Sequence, residues 1–158
     1  MSINTKDFQF DIVRAALQDI GLWSLSAENL LMMTAATESY LGQYLKQYPR
    51  GPAFGAYQQE EISYFGFWKY VYPKQSEIRK IHLKRYNITN KPNERERLIY
   101  DLRFATILCR MHYWRFEEPL PNHDNLYELA VYYKKYWNTE KGKGSIEKAI
   151  HDYKQLVL

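Results

Sequence analysis

The sequence predicts a single all-α domain that spans residues 1–158. Apolar residues recur at spacings of three and four along most of the chain, which is the period of an amphipathic helix. Only 7 glycines and 6 prolines occur among the 158 residues, so few positions interrupt these periodic segments. Hydrophobic residues make up 46% and charged residues 25%, a balance typical of a globular protein that buries a sizeable core.

Two helices are predicted in the first third of the chain. The first covers about residues 6–20 and ends at Gly21, since glycine is the usual residue just beyond a helix. The second covers about residues 27–48. Ser26 is its predicted N-cap, and Pro49 is predicted to stop it, because the residue before a proline disfavours the helical conformation.

The segment 49–59 contains two prolines and two glycines, which predicts a loop or a short β-hairpin after the second helix. Helical periodicity then resumes and predicts five further helices, over about 61–71, 74–85, 94–116, 125–136 and 145–156. Asn93 is the predicted N-cap of the longest of these helices, and Pro119 and Pro121 interrupt the chain after it.

The charge of the chain indicates what kind of partner it meets. A net charge of +4 favours an anionic partner, such as nucleic acid, an anionic membrane or a bacterial cell wall. In the densest basic stretch, 80–86, charged and apolar residues alternate, which favours a solvated helix face over a phosphate-binding groove. The aromatic residues, 16% of the chain, serve either core packing or the binding of sugar rings and nucleobases, and core packing is favoured.

Cysteine and histidine usage argues against a metal site. Cys109 is the single cysteine, so no intramolecular disulfide forms, and its apolar surroundings predict a buried thiol. The four histidines lack zinc-ligand spacing, so no metal or other cofactor is expected, and His112 is predicted to be a satisfied core or rim residue.

The N-terminal segment and the hydropathy of the chain bear on location. Charged residues interrupt the N-terminal segment, which predicts that the chain lacks a signal peptide and is synthesised in the cytoplasm. The longest apolar stretch, residues 30–36, is too short for stable membrane insertion.

Glu38 is the candidate catalytic residue. It falls on a predicted buried stripe, whose other members are Leu31, Thr34, Leu41 and Leu45. Burial without a partner raises the pKa of a carboxyl group, and a carboxylic acid that is still protonated near neutral pH can act as a general acid. The alternative is a structural ion pair with an arginine, such as Arg103 or Arg110.

The loop that follows has the composition of a ligand-binding segment. Glycines such as Gly51 and Gly55 allow the backbone to approach a ligand closely. Tyr57 and Gln58 offer a flat ring and an amide, two groups that hold a sugar. The sequence therefore predicts a helix that presents an acid beside a loop able to bind substrate.

Three motifs carry a resemblance to a known family. Glu38-Ser39 followed by Gly55-Ala56-Tyr57-Gln58 resembles the lytic transglycosylases and goose-type lysozymes of the lysozyme-like superfamily, which have a helix-borne Glu-Ser and then Gly-x-x-Gln. Tyr136-Trp137-Asn138-Thr139, with Gly142 and Gly144, is similar to the family's Ala-Tyr-Asn-Ala-Gly motif, although Trp137 intrudes. The family tyrosine is therefore one of Tyr132, Tyr133 and Tyr136. Residues 105–121 are similar to phage-encoded members.

The resemblance implies a lysozyme-like domain that cleaves the β-1,4 bond between N-acetylmuramic acid and N-acetylglucosamine in peptidoglycan, with Glu38 as the acid. The substrate-binding residues would be Ser39, Gly55, Tyr57, Gln58, Tyr133, Tyr136 and Asn138. Gln58 would position the acetamido group or hydroxyls, and Ser39 would fix the glutamate or be a surface hydroxyl. The partner would be peptidoglycan strands, reached as a phage endolysin released through a membrane pore or as a virion component. A monomer is the default oligomeric state.

A positive charge develops on the sugar ring as the glycosidic bond breaks. The sequence does not decide which group stabilises this charge. A two-carboxylate enzyme uses a second acid, for which Glu60 and Glu61 are candidates. Their alternative role is that of first-turn acids favoured by the helix dipole. If no second acid acts, the family mechanism has the muramic acid 6-hydroxyl attack the anomeric carbon and leave a 1,6-anhydro product.

Two other classes of function compete with the glycosidase. One is a non-catalytic virion structural protein that kept a lysozyme-like fold. The other is a basic helical nucleic-acid-binding protein, which is less favoured. Its binding would depend on Lys80, Lys84 or Arg85 and would weaken steeply with salt.

Overall fold

The computed structural model describes residues 3–46, 51–139 and 145–158, and the regular elements in these ranges are helices, so the all-α class is confirmed. The N-terminal helix has an α-helical turn at Thr5–Asp7, a π-helical segment over Phe8–Arg14 and an α-helical end over Ala15–Asp19. The Glu38 helix covers Leu25–Ser39. Next come Glu61–Gly66, its π-helical continuation Phe67–Val71, a 3₁₀ turn at Tyr72–Lys74, and the short helices Glu77–Lys84 and Arg97–Tyr100. The central helix is Leu102–Trp114, the tyrosine helix Leu126–Tyr136 and the C-terminal helix Ile146–Leu156.

The Glu38 helix forms the middle of the core. It contacts the N-terminal, central, tyrosine and C-terminal helices. Its residues are buried on every side, including Leu31, Met32 and Met33, rather than along one stripe. A helix that is apolar all round belongs in the interior, where neighbouring helices fix its position. Glu38 is therefore carried by one of the most constrained elements of the molecule.

The Glu38 helix is shorter than predicted. Ser24, not Ser26, is its N-cap and accepts a hydrogen bond from the Ala27 amide at 3.0 Å. The helix ends at Ser39, because Tyr40 adopts the left-handed conformation with φ of 51°. The prediction of a helix over 27–48 was therefore wrong at both ends, and Pro49, its predicted stop, lies outside the described residues. As a result Glu38 lies in the last turn, where the chain leaves the core.

The longest predicted helix, over 94–116, is divided in two. Asp101 has extended backbone angles, φ −118° and ψ 94°, and its carboxylate accepts a hydrogen bond from the Phe104 amide at 3.0 Å. Asp101 is thus the N-cap of the central helix, and the prediction of Asn93 as the cap was wrong. The other predicted helices are found within a few residues of their predicted bounds.

The segment after the Glu38 helix is a loop in its described part, 51–59. Phe54 forms isolated antiparallel bridges with Lys46 and with Gln59, and no strand forms in the described residues. The Gly55 amide donates to the Leu45 carbonyl at 2.8 Å. This predicted loop or hairpin is therefore a loop, and it is held to residues 45 and 46, which follow the Glu38 helix, by one bridge and one backbone hydrogen bond.

Two further predictions concern the core and the membrane. Cys109 is buried in the central helix, as predicted. None of the helices in the described part of the chain is both long and apolar enough to cross a bilayer.

Candidate active site

Glu38 lies on the wall of a cleft with a volume of about 800 Å³. Six parts of the fold contribute to the cleft: the last turn of the Glu38 helix, the loop, the first turn of the helix Glu61–Gly66, the end of the central helix, the tyrosine helix with the residues just after it, and the C-terminal helix. The lining mixes aromatic rings with polar and charged groups. This mixture, in a cleft of this size, is typical of small-ligand sites.

The Glu38 carboxyl group is held on one oxygen. The Tyr133 hydroxyl donates to Oε1 at 2.5 Å, and the Asn138 side-chain amide donates to the same oxygen at 3.4 Å. In the described ranges no residue hydrogen-bonds Oε2. That second oxygen is therefore available to a molecule in the cleft.

The environment of Glu38 favours its protonated form. Burial raises the pKa of Glu38, and the negative charge of Glu60 adds to this effect. The hydrogen bonds from Tyr133 and Asn138 and the positive charge of Lys148 act in the opposite direction, but burial outweighs them. The net result is a carboxylic acid with a pKa above the ordinary value of 4.5.

The two arginines predicted as alternative ion-pair partners of Glu38 do not reach it. The Arg103 guanidinium donates to the Asp11 carbonyl and lies 3.9 Å from the Asp19 carboxylate. The Arg110 guanidinium donates to the Leu22 carbonyl at 3.1 Å. Both arginines are thus engaged elsewhere, and no cation in the described ranges is within ion-pair distance of Glu38.

Glu28, on the same helix, shows what a structural carboxylate looks like in this fold. It is fully buried, and Arg14 donates two hydrogen bonds to it, at 2.6 and 2.9 Å. Trp23 and Gln9 donate to it as well, at 2.9 and 2.8 Å. Burial opposes the ionisation of Glu28, but these donors outweigh it and hold its pKa below the ordinary value. Glu28 is therefore a satisfied anion, whereas Glu38 is an acid facing a cleft.

The structure distinguishes the three candidate tyrosines. Tyr133 contacts Glu38, as described above, and its ring is fully buried. Tyr132 donates to the Glu118 carbonyl at 2.9 Å instead. Tyr136 lines the cleft, and its ring stacks on Phe116 with centroids 4.1 Å apart. Tyr133 is therefore the tyrosine placed to act on Glu38.

The side chain of Tyr57 does not face the cleft. It is 1% exposed, and its hydroxyl lies 2.7 Å from the Thr106 hydroxyl inside the core. Its backbone carbonyl accepts a hydrogen bond from the Trp137 indole at 3.0 Å. The prediction that the Tyr57 ring holds a sugar is wrong, because the loop turns this ring inward and uses it as a packing residue.

Three of the remaining predicted substrate-binding residues hold the loop in place through backbone contacts or internal hydrogen bonds. Ser39 is buried, and its hydroxyl donates to the Ala56 carbonyl and accepts from the Gly42 amide, so its predicted roles as a substrate ligand or a surface hydroxyl are wrong. Gly55 is buried and contributes backbone contacts to the loop, not a contact with the cleft. Gln58 lines the cleft, but its side-chain nitrogen donates to the Gly55 carbonyl at 2.9 Å.

The two candidate second acids are placed differently. Glu60 is exposed and lines the cleft. Glu61 lies in the first turn of the helix Glu61–Gly66, outside the residues that line the cleft. Of the two, only Glu60 is positioned to share the cleft with Glu38.

Several cleft residues were not predicted from the sequence. Thr37 and Gln59 are buried neighbours of predicted site residues, and Lys148 reaches the cleft from the C-terminal helix. The Lys148 ammonium donates to the Thr37 carbonyl at 3.2 Å and to Asp152 at 2.6 Å. Thr37 and Gln59 could have been noticed as polar residues flanking Glu38 and Gln58. Lys148 carried no such signal, because only tertiary packing brings it close.

His112 is a satisfied histidine, as predicted. Its Nε2 lies 2.8 Å from the Tyr136 carbonyl, and burial lowers its pKa to about 4, so it is uncharged at neutral pH. The described residues contain no group of three or more histidine, cysteine or acidic side chains that could hold a metal ion.

Together, the fold and the site define an all-α protein in which a buried-helix glutamate faces a mixed aromatic and polar cleft. No family model, curated protein or solved structure matches the chain.

Proposed function

We propose that the protein is a lysozyme-like glycosidase that cleaves the β-1,4 bond between N-acetylmuramic acid and N-acetylglucosamine in peptidoglycan. The observation that carries this proposal is the state of Glu38: a carboxyl group on the cleft wall with no cation partner in the described ranges, an available Oε2 and a pKa raised by burial. The Glu-Ser and Gly-x-x-Gln motifs support it from the sequence side.

The lining of the cleft suits a carbohydrate. Sugar rings have an apolar face that packs against aromatic rings and hydroxyl edges that need hydrogen bonds. The cleft offers both kinds of group. Its aromatic rings come from Phe116, Tyr136 and Trp137, and its polar groups near Glu38 come from Thr37, Gln58 and Gln59. The net charge of +4 also favours encounter with the anionic cell wall.

The contacts of Glu38 fit a proton donor. In the proposed reaction Oε2 carries the proton to the leaving glycosidic oxygen, and Glu38 becomes a carboxylate. Tyr133 and Asn138 donate hydrogen bonds that stabilise this carboxylate, and Lys148 stabilises it by its charge. The same three groups therefore favour the product of the proton transfer without preventing the protonated state before it.

Two routes complete the cleavage, and their products differ in mass. In a hydrolase, water is added to the anomeric carbon, with Glu60 as the candidate second carboxylate on the cleft. In a transglycosylase, the 6-hydroxyl of muramic acid attacks and leaves a 1,6-anhydro end that lacks one water. Mass spectrometry of the muropeptides released from purified peptidoglycan tests the proposal and separates the routes. Release of no muropeptides would contradict the glycosidase assignment.

Tyr133→Phe is expected to change the pH dependence of cleavage as well as its rate. Loss of the hydroxyl removes a donor that favours ionised Glu38, so the pKa of Glu38 rises further and the falling limb of activity moves to higher pH. The rate falls about ten- to a hundredfold, because the acid is less well positioned. The measurement is kcat/KM against pH for soluble peptidoglycan fragments.

Tyr132→Phe is the matched control for this prediction. It removes a hydroxyl from the preceding residue of the same helix, which bonds to the Glu118 carbonyl and not to Glu38. In Tyr132→Phe, the fall of kcat/KM at high pH should occur at the same pH as in wild type. If this fall occurs at the wild-type pH or at a lower pH in Tyr133→Phe, the Tyr133 hydroxyl does not lower the pKa of Glu38.

A further inference from the structure

We propose that the exposed face of the helix Glu77–Lys84 docks on the surface of a lipid bilayer that contains anionic lipids. The residues of this docking face are Ile78, Ile81, Lys84 and Arg85, the last of which directly follows the helix. None of the residues that line the cleft belongs to the segment 69–91 around this helix. The proposal therefore goes beyond the cleavage of peptidoglycan and does not depend on it.

The positive charge of the protein is concentrated around this helix. Residues 69–91 contain seven lysine or arginine residues and a single acidic residue, Glu77, so their net charge is +6. The whole chain has a net charge of +4, so the rest of the chain carries −2. Glu77 lies 3.6 Å from Lys80, and six cations of the segment form no ion pair with the described residues: Lys69, Lys74, Arg79, Lys84, Arg85 and Lys91. The segment therefore attracts an anionic partner.

Two isoleucines lie exposed on the docking face. Ile78 is 69% exposed and Ile81 is 60% exposed. Ile78 precedes Ile81 by three residues, and Lys84 and Arg85 follow Ile81 by three and four residues. These spacings bring side chains together on one side of a helix. The docking face is therefore an apolar pair bordered by two cations.

The other side of this helix holds it against the protein. Leu83 is fully buried in the core, and the Arg79 guanidinium donates to the Ile20 carbonyl at 3.2 Å. These contacts fix the helix with its two isoleucines turned outward. The C-terminal helix shows the usual arrangement instead, because its exposed residues are all polar or charged: Glu147, His151, Lys154 and Gln155.

The combination of cations and aliphatic side chains selects a bilayer as the partner. A bilayer surface offers anionic headgroups with acyl chains directly beneath them, so it can pair with the cations and also cover the isoleucines. The phosphates of a nucleic acid would pair with Lys84 and Arg85 but would offer no aliphatic surface to Ile78 and Ile81. Removing these apolar side chains from water is favourable, and of the two partners only the bilayer provides that contribution.

Sedimentation with lipid vesicles tests the docking face. Wild-type protein should bind vesicles of equimolar phosphatidylglycerol and phosphatidylcholine at low salt, and should bind pure phosphatidylcholine vesicles much more weakly. Ile81→Gln and Lys84→Gln should each lower the partition coefficient by about fivefold. The matched controls are Ile62→Gln and Lys154→Gln, which alter exposed residues outside the segment 69–91 and should bind like wild type.

Three results would overturn the proposal: no binding of wild type to the anionic vesicles, equal losses in the variants and their controls, or wild-type binding by Ile81→Gln. If Ile81→Gln binds like wild type and a DNA duplex binds in a manner that requires Lys84, the face would be assigned to nucleic acid instead.

A fluorescent label provides a second readout, which reports contact of the docking face with the bilayer directly. The native cysteine, Cys109, is buried, so a thiol introduced at the surface can be labelled selectively. A solvent-sensitive fluorophore on Ile81→Cys should shift its emission to shorter wavelength when the anionic vesicles are added, and the same label on Ile62→Cys should not. No shift at position 81, or equal shifts at both positions, would overturn the proposal. Neither experiment involves peptidoglycan, so the proposed cleavage is decided separately.

Discussion

Glu38→Gln is expected to lower kcat/KM for peptidoglycan by about a thousandfold or more. The amide has nearly the shape of the protonated carboxyl group but no acidic proton, and a positioned general acid contributes roughly 10²–10⁴-fold to a rate. The amide oxygen that replaces Oε1 in this variant can still accept the hydrogen bonds that Tyr133 and Asn138 donate to Glu38. The measurement is the rate of solubilisation of labelled peptidoglycan, and wild-type activity in the folded variant would contradict the assignment of Glu38.

The stability of the same variant separates lost chemistry from lost folding. Since the pKa of Glu38 is raised in the folded state, its contribution to stability is present below the unfolded pKa and is lost as pH rises through the folded pKa. Glu38→Gln cannot ionise and avoids that loss. It should therefore unfold at the same or a higher temperature than wild type at neutral pH, and any gain should disappear below about pH 4.5.

Glu28→Gln is the matched control, because it makes the same change almost three turns earlier on the same helix. The pKa of Glu28 is lowered, so its contribution to stability is present above the unfolded pKa and is lost as pH falls through the folded pKa. Glu28→Gln should therefore destabilise the protein at neutral pH, and the effect should fade in acid. Thermal unfolding between about pH 3 and pH 7 should therefore show opposite changes in Tm for the two variants relative to wild type. A general effect of removing a negative charge would change Tm in the same direction in both.

The contrast between Glu28 and Glu38 also shows what could be read from the sequence. The periodicity predicts that Glu38 lies on a buried helix, which is correct, but the predicted single stripe is wrong, because the helix is buried on every side and ends before Leu41 and Leu45. The same pattern cannot tell whether a cation reaches that glutamate, because partners such as Arg14 come from other helices. The position of Glu38 on a buried helix was therefore predictable, but its lack of an ion pair with the described residues was not.

Other differences have the same physical origin. Periodicity locates the helices, but it places the end of the Glu38 helix too late. The actual end depends on the left-handed backbone of Tyr40 and on the bond from Ser39 to the Ala56 carbonyl, a tertiary contact. In the loop, Tyr57 points into the core and Gln59 lines the cleft. Loop residues have no fixed period, so the sequence alone could not predict which of these side chains faces the core and which faces the cleft.

Gly55→Ala is expected to destabilise the protein by about 3–5 kcal/mol, in the range of severe core disruption. A Cβ atom at this position would lie 2.4 Å from the Leu98 carbonyl oxygen and 3.1 Å from its carbon, so backbone would have to move. The φ of +87° adds strain for any residue with a side chain. Urea denaturation at neutral pH would measure the loss as a lower midpoint at an unchanged slope.

Gly21→Ala separates the two contributions to this effect. Gly21 also has a positive φ, +73°, but a Cβ atom there would meet nothing within 4 Å. It should therefore show only the conformational cost, roughly 1–2 kcal/mol. An equal loss in the two variants would mean that the close approach of Gly55 to Leu98 does not limit the fold. If Gly55→Ala loses more stability than Gly21→Ala, we also expect it to cleave peptidoglycan more slowly under conditions in which it is folded. The Gly55 carbonyl accepts a hydrogen bond from Gln58, and a displaced loop would move Gln59 away from Glu38.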